Sequence, residues 1–128
     1  MILAIDPGLS KCGLAVLDSD KVYLREIVEI KNIAERVSSI LASFKISEVV
    51  VGDSTGSDAV IKALKVSVPI KKVPEKFTTL EARKLYWKEN PPQGLFRFIP
   101  TSFLFPPRPV DDYAAVVVGK RYLANISA

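Results

Sequence analysis

The order of apolar runs and helical stripes predicts an α/β layered domain, a mixed five-stranded sheet in which an antiparallel meander is extended by parallel crossovers and flanked by helices. Two observations carry this. Three apolar runs lie within the first thirty residues, joined by turns too short to hold a helix. Beyond them, short apolar runs alternate with stripes of helical spacing, the pattern of strand–helix–strand units.

The first run, Ile2-Leu3-Ala4-Ile5, ends at Asp6 in the turn Asp6-Pro7-Gly8, and the chain returns along Cys12 to Leu17. Pro7 fixes one dihedral, Gly8 permits a positive φ, and Gly13 lets the returning strand pass close to a ligand. A carboxylate ending a core strand is costly unless water, a donor or a cation meets it, so Asp6 is the first candidate functional residue. The alternative is an Asx-type turn in which Asp6 bonds nearby backbone N–H groups. Val22 to Ile30, after the polar turn Asp18-Ser19-Asp20-Lys21, completes the meander.

Asn32 to Phe44 reads as a helix, with Asn32 and Glu35 at capping-box spacing and Ile33, Val37, Ile40, Leu41 and Phe44 on one face. Glu48 to Gly52 is a buried type of strand that ends at Asp53, before the loop Ser54-Thr55-Gly56-Ser57. A short helix, Asp58 to Leu64, follows, with Asp53 or Asp58 able to cap it. Val66 to Val73 is a strand whose internal Pro69 suits an edge or an irregular strand, and Glu75 lies just past its end. Thr78 and Glu81 repeat the capping-box spacing and open a helix through Lys88, which Asn90-Pro91-Pro92 stops. Gln93 to Pro109 gathers prolines and Phe96, Phe98, Phe103 and Phe105 without periodicity, as a loop or irregular strand would. From Asp111 the run through Leu123 is apolar nearly all round, as a helix packed on a sheet would be.

A chain of 128 residues makes one domain, 1–128, with room for a real core but not for two lobes about a cleft. No apolar run approaches the roughly 20 residues needed to cross a bilayer, so no membrane association is expected. No secretory leader is evident, and the lone Cys12 cannot form an internal disulfide, so the expected location is cytoplasmic. Eighteen Lys and Arg against fourteen Asp and Glu leave a net charge of +4, a mild bias toward polyanionic partners. Lys62, Lys65, Lys71, Lys72, Lys76, Arg83, Lys84, Lys88 and Arg97 crowd the second half, which either lies along phosphates or is simply solvated. The chain has no histidine, which excludes a His triad, a His metal site and a His general base. Hydrolysis would have to use carboxylates and a hard metal.

Asp6, Asp53, Glu75 and the pair Asp111-Asp112 each stand at a strand end or in the first turn of a helix. Ligands of open α/β sheets bind outside the carboxyl ends of the strands, and several carboxylates gathered there repel unless cations join them. Mg²⁺ or Mn²⁺ would suit oxygen donors, and two such ions about 4 Å apart can activate water and stabilise the leaving oxygen of a phosphodiester. Each acid also has a plainer use: one of Asp111 and Asp112 would cap the last helix, and Glu75 could balance Lys71, Lys72 and Lys76.

Taken together, Ile5-Asp6-Pro7-Gly8 with Gly13-Leu14-Ala15, then Val50-Val51-Gly52, then Glu75-Lys76-Phe77-Thr78-Thr79-Leu80-Glu81-Ala82, then Val110-Asp111-Asp112-Tyr113-Ala114-Ala115 resembles the RuvC/YqgF-like branch of the ribonuclease H superfamily, the YqgF-like group more closely. The chain departs from that group in Gly52-Asp53-Ser54, where a Gly-Leu-Pro type of segment is usual, and in Pro74, where an Asp commonly precedes the Glu.

The resemblance implies a ribonuclease H-like fold, with Asp6, Glu75 and Asp111 or Asp112 as catalytic acids. With Asp53 at the place of the second RuvC acid, these would also bind Mg²⁺ or Mn²⁺. Lys76, Arg83 and Lys84, with Thr78 and Thr79, are the candidate nucleic-acid contacts, although the threonines also suit capping. The implied activity is hydrolysis of phosphodiesters in branched DNA, as in Holliday junction resolution, or in precursor ribosomal RNA. Cutting a junction needs two sites on opposite strands, so a homodimer is expected for that substrate. A non-catalytic nucleic-acid binding module is the alternative class. The Asp-x-Gly opening is shared with sugar kinases and actin-like ATPases, but those need two such domains around the nucleotide.

Overall fold

The computed structural model describes residues 1–54, 56–74, 78–94, 98, 106 and 110–127, without the side chains of residues 78, 79, 126 and 127. Five strands, β1 (Ile2–Asp6), β2 (Lys11–Leu17), β3 (Val22–Glu29), β4 (Glu48–Asp53) and β5 (Ile70–Pro74), form one sheet in the order β3-β2-β1-β4-β5. The meander is antiparallel, with Asp6 opposite Gly13 and Ala15 opposite Arg25. On its other side β1 pairs in parallel with β4, and β4 with β5, Asp53 standing opposite Pro74. This is the mixed α/β architecture that the order of elements predicts.

Alternation along the strands sorts their side chains onto two faces. Leu3, Ile5, Cys12, Leu14, Val16, Val49 and Val51 pack against Ile33, Val37 and Ile40 of α1 (Ile33–Ser43) and Val60 of α2 (Ser57–Ala63). Ile2, Ala4, Ala15, Leu17, Val50 and Val73 pack against Ala115, Val116 and Val118 of α4 (Asp111–Ser127). α3 (Thr78–Glu89) lies along the flank of α4, with Ala82 and Tyr86 against Tyr113 and Ala114. Each large aliphatic side chain buried this way contributes about 1.5–3 kcal/mol. Among the described residues, no helix is long and apolar enough to cross a membrane.

Local chemistry moves several boundaries. β3 ends at Glu29 and a single 3-10 turn, Ile30–Asn32, precedes α1. Asn32 therefore has φ −105° and ψ 1° and makes no side-chain cap bond, so the expected capping box does not form. The residue before α2 is Gly56, again without a side-chain cap; Asp58 instead accepts a bond from Lys72 Nζ at 2.6 Å. β5 starts only after Pro69, whose carbonyl accepts from the Val49 N–H at 2.9 Å, and it forms the sheet edge that a proline suggested. Glu81, the proposed partner of Thr78 in a second box, accepts from Arg121 at 2.7 Å. α4 continues to Ser127, past Leu123. Gly8 does not use a positive φ, which among the described glycines Gly94 adopts; a Cβ at Gly8 would lie 2.3 Å from the Lys11 carbonyl oxygen, so close approach is what its turn requires.

Candidate functional site

Asp6 closes β1 and is half-buried, on the α4 side of the sheet by alternation from Ile2 and Ala4. Its partner across the hairpin, Gly13, is where α4 meets β2. A Cβ on Gly13 would stand 1.8 Å from the Asp111 carbonyl oxygen, 2.3 Å from its carbonyl carbon and 2.9 Å from the Asp112 nitrogen. The bare glycine thus seats the first turn of α4 on β2, next to the end of β1.

Asp111, half-buried, has its carboxyl held above the ordinary carboxylate range chiefly by burial and further by the charge of Asp112, with Lys11 opposing. The buried Cys12 thiol is also pushed up, mostly by burial. A bond from the Gly8 backbone opposes the shift, while the charges of both Asp6 and Asp111 add to it. One thiol thus lies in the fields of both carboxylates, which come from opposite ends of the chain.

Asp112 turns elsewhere. Its side chain is 7% exposed and accepts from Arg25 Nε at 2.9 Å. Arg25 Nη1 bonds Glu89 Oε2 at 2.8 Å, and the guanidinium carbon lies 3.9 Å from the centre of the Tyr113 ring. The Tyr113 hydroxyl donates to Glu89 Oε2 at 2.9 Å and accepts from Asn90 Nδ2 at 3.2 Å. Of the adjacent acids, Asp112 is held in a part-buried ion pair with Arg25, and the Asp111 backbone lies against Gly13, the residue opposite Asp6.

Asp53 is exposed and follows Val49 and Val51 in alternation, which assigns it to the α2 face, opposite to Asp6. Its charge acts there on Lys72. Glu75 and Lys76 lie outside the described residues, as do the side chains of Thr78 and Thr79. Arg83 is half-buried and Lys84 exposed on α3. Among the described residues no group of three or more Asp, Glu, Cys or His side chains is placed to hold a metal ion; Asp6 and Asp111 are the candidate acids that the fold gathers.

Two participants escape a reading of the sequence. Lys11, exposed at the start of β2, is the cation whose charge reaches Asp111. Arg25 carries a signal, since an arginine within the largely apolar run from Val22 to Val28 implies a partner, but that partner is 87 residues away.

No protein-family model and no curated protein sequence matches the chain. Its fold matches that of Thermus thermophilus RuvC in complex with a Holliday junction substrate, with a TM-score of 0.61, 18% identity, and coverage of 98% of this chain and 94% of that one. A second T. thermophilus RuvC structure matches with a TM-score of 0.57 and 15% identity, over 98% and 96% of the two chains. The fold is ribonuclease H-like. In this ribonuclease H-like sheet, β1 and α4 deliver their acids to one end, while Arg25 draws the neighbouring acid away.

Proposed function

We propose that the chain is a divalent-metal-dependent endonuclease that hydrolyses phosphodiesters in structured nucleic acid, with four-way DNA junctions as the substrate class. The observation that supports this reading is the convergence on Gly13 of the end of β1, which carries Asp6, and the first turn of α4, which carries Asp111. Two carboxylates, one of them desolvated, are hard oxygen donors that suit Mg²⁺ or Mn²⁺, and Glu75 would complete the set. Such a cation, when bound, polarises a phosphoryl oxygen and lowers the pKa of water.

The protein's own groups supply the rest. With no histidine in the chain, proton transfer falls to a carboxylate. Lys11 and the positive end of the α4 dipole favour a phosphate beside Asp111. Lys84 and Arg83 on α3, with Lys76 before it, would follow the flanking backbone. The fold match to a RuvC solved with a Holliday junction substrate supports this substrate class, and a cut on each of two strands calls for a twofold dimer. The YqgF-like order of motifs makes precursor ribosomal RNA the competing substrate for the same chemistry.

The test is cleavage of labelled four-way junctions, duplex DNA and structured RNA with Mn²⁺, by wild type, Asp6→Asn and Asp111→Asn. Structure-selective cutting that falls on the order of 10²-fold or more in both variants supports the reading and ranks the substrates. Binding without cutting, unchanged by Asp6→Asn, leaves a non-catalytic module.

A further inference from the structure

We infer that Arg25 is a positioning residue for the candidate metal site, a clamp that fixes where Asp111 stands by holding its neighbour Asp112 against β3 and the end of α3. The inference rests on the nuclease reading and adds a residue that touches neither metal nor substrate. Arg25 projects from β3 and grips two helices at once: Nε bonds Asp112 at the start of α4, and Nη1 bonds Glu89 at the end of α3. Its guanidinium lies over the Tyr113 ring, and the Tyr113 hydroxyl closes the circuit on the same Glu89 oxygen. Three elements distant in sequence are thereby locked at one point.

The location gives the lock its consequence. Asp112 is the immediate neighbour of Asp111, and its carboxylate is nearly fully buried, so a shift in the Arg25 bond moves the first turn of α4 and Asp111 with it. The grip on Glu89 ties the end of α3 to the same point, so α3 and the first turn of α4 are held together through one side chain. Arginine fits because its planar fork serves two carboxylates in fixed directions; a lysine ammonium would keep the charge and lose the fork. Removing the arginine alone would strand a buried carboxylate, so the informative variant removes the charge of both partners.

The experiment compares wild type, Arg25→Lys and the double variant Arg25→Met/Asp112→Asn, each first shown to be folded by circular dichroism and thermal melting. Two readouts follow: Mn²⁺ binding by titration calorimetry without nucleic acid, and kcat and KM for Mn²⁺-dependent cutting of a synthetic four-way DNA junction. The expected result is Mn²⁺ affinity and kcat lowered on the order of tenfold or more in the folded double variant, KM for the junction unchanged, and partial recovery in Arg25→Lys. A folded double variant whose Mn²⁺ affinity and kcat equal those of wild type overturns the clamp and leaves the nuclease reading standing. Wild-type protein that neither binds Mn²⁺ nor cuts overturns both.

Discussion

Gly13 and Asp111 are in backbone contact: the space a Cβ on Gly13 would need is taken by the Asp111 carbonyl, 1.8 Å away. Helix α4 reaches the sheet there because the strand carries no side chain. Gly13→Ala is therefore expected to cost about 3 kcal/mol or more, since the clash is between main chains and no rotamer relieves it. Gly119→Ala offers the comparison, because there a Cβ's nearest neighbours are side-chain atoms, the Leu17 methyls at 2.6 and 3.0 Å and the Ala4 Cβ at 3.2 Å, and a smaller cost of about 1 kcal/mol is expected. Urea unfolding of the two variants checks the order.

Asp111 and Asp18 should respond to pH with opposite signs. Asp111 has a raised pKa in the fold, so its contribution is fully present below its unfolded value of 3.8 and is lost as pH rises through the raised value. Asp111→Asn should thus be more stable than wild type at pH 7, with the gap closing as pH falls toward 3.8. Asp18 is held down to about 2, first by the Tyr23 hydroxyl and then by the Lys21 and Asp20 N–H groups, so its contribution is present above 3.8 and is lost as pH falls through about 2. Asp18→Asn should be less stable at pH 7 and equal to wild type near pH 2. Urea midpoints across that range test both.

Asp53→Asn is expected to reduce Mn²⁺-dependent cutting far less than Asp6→Asn, because alternation puts Asp53 with Lys72 on the α2 face. Equal losses in side-by-side assays would mean that the end of β4 joins the site.

Lys84→Ala should weaken nucleic-acid binding alike for all sequences and lower the slope of log K against log salt by about 0.9 for duplex DNA if the exposed amine meets one phosphate. Filter binding at several salt concentrations measures that slope. An unchanged slope would turn α3 away from the path of the backbone.

The sheet was legible because its signals are local: strand period, helical stripe and turn residues are all written within a few neighbours of each position. Asp6 and Asp111 were legible for the same reason, as acids at a strand end and a helix start. The different surroundings of Asp111 and Asp112 were not legible, since they turn on Arg25, 87 residues from Asp112. The face that Asp53 takes was not legible either, because a strand end does not say on which side of the sheet its last side chain lies. Asn32 misled because the chain enters a 3-10 turn there, so the residue has the right chemistry without the extended backbone that a cap needs.

The two candidate acids whose elements converge on Gly13 come from position 6 and position 111, so bringing them near one another requires the fold to be complete. A chain emerging from the ribosome can pair β1 with β2 early, since their contacts are close in sequence, yet it holds one carboxylate until α4 docks. On the proposed nuclease reading, a nascent or truncated chain that lacks α4 carries one of the two candidate acids, and cleavage competence arrives in one step with the closing of the fold.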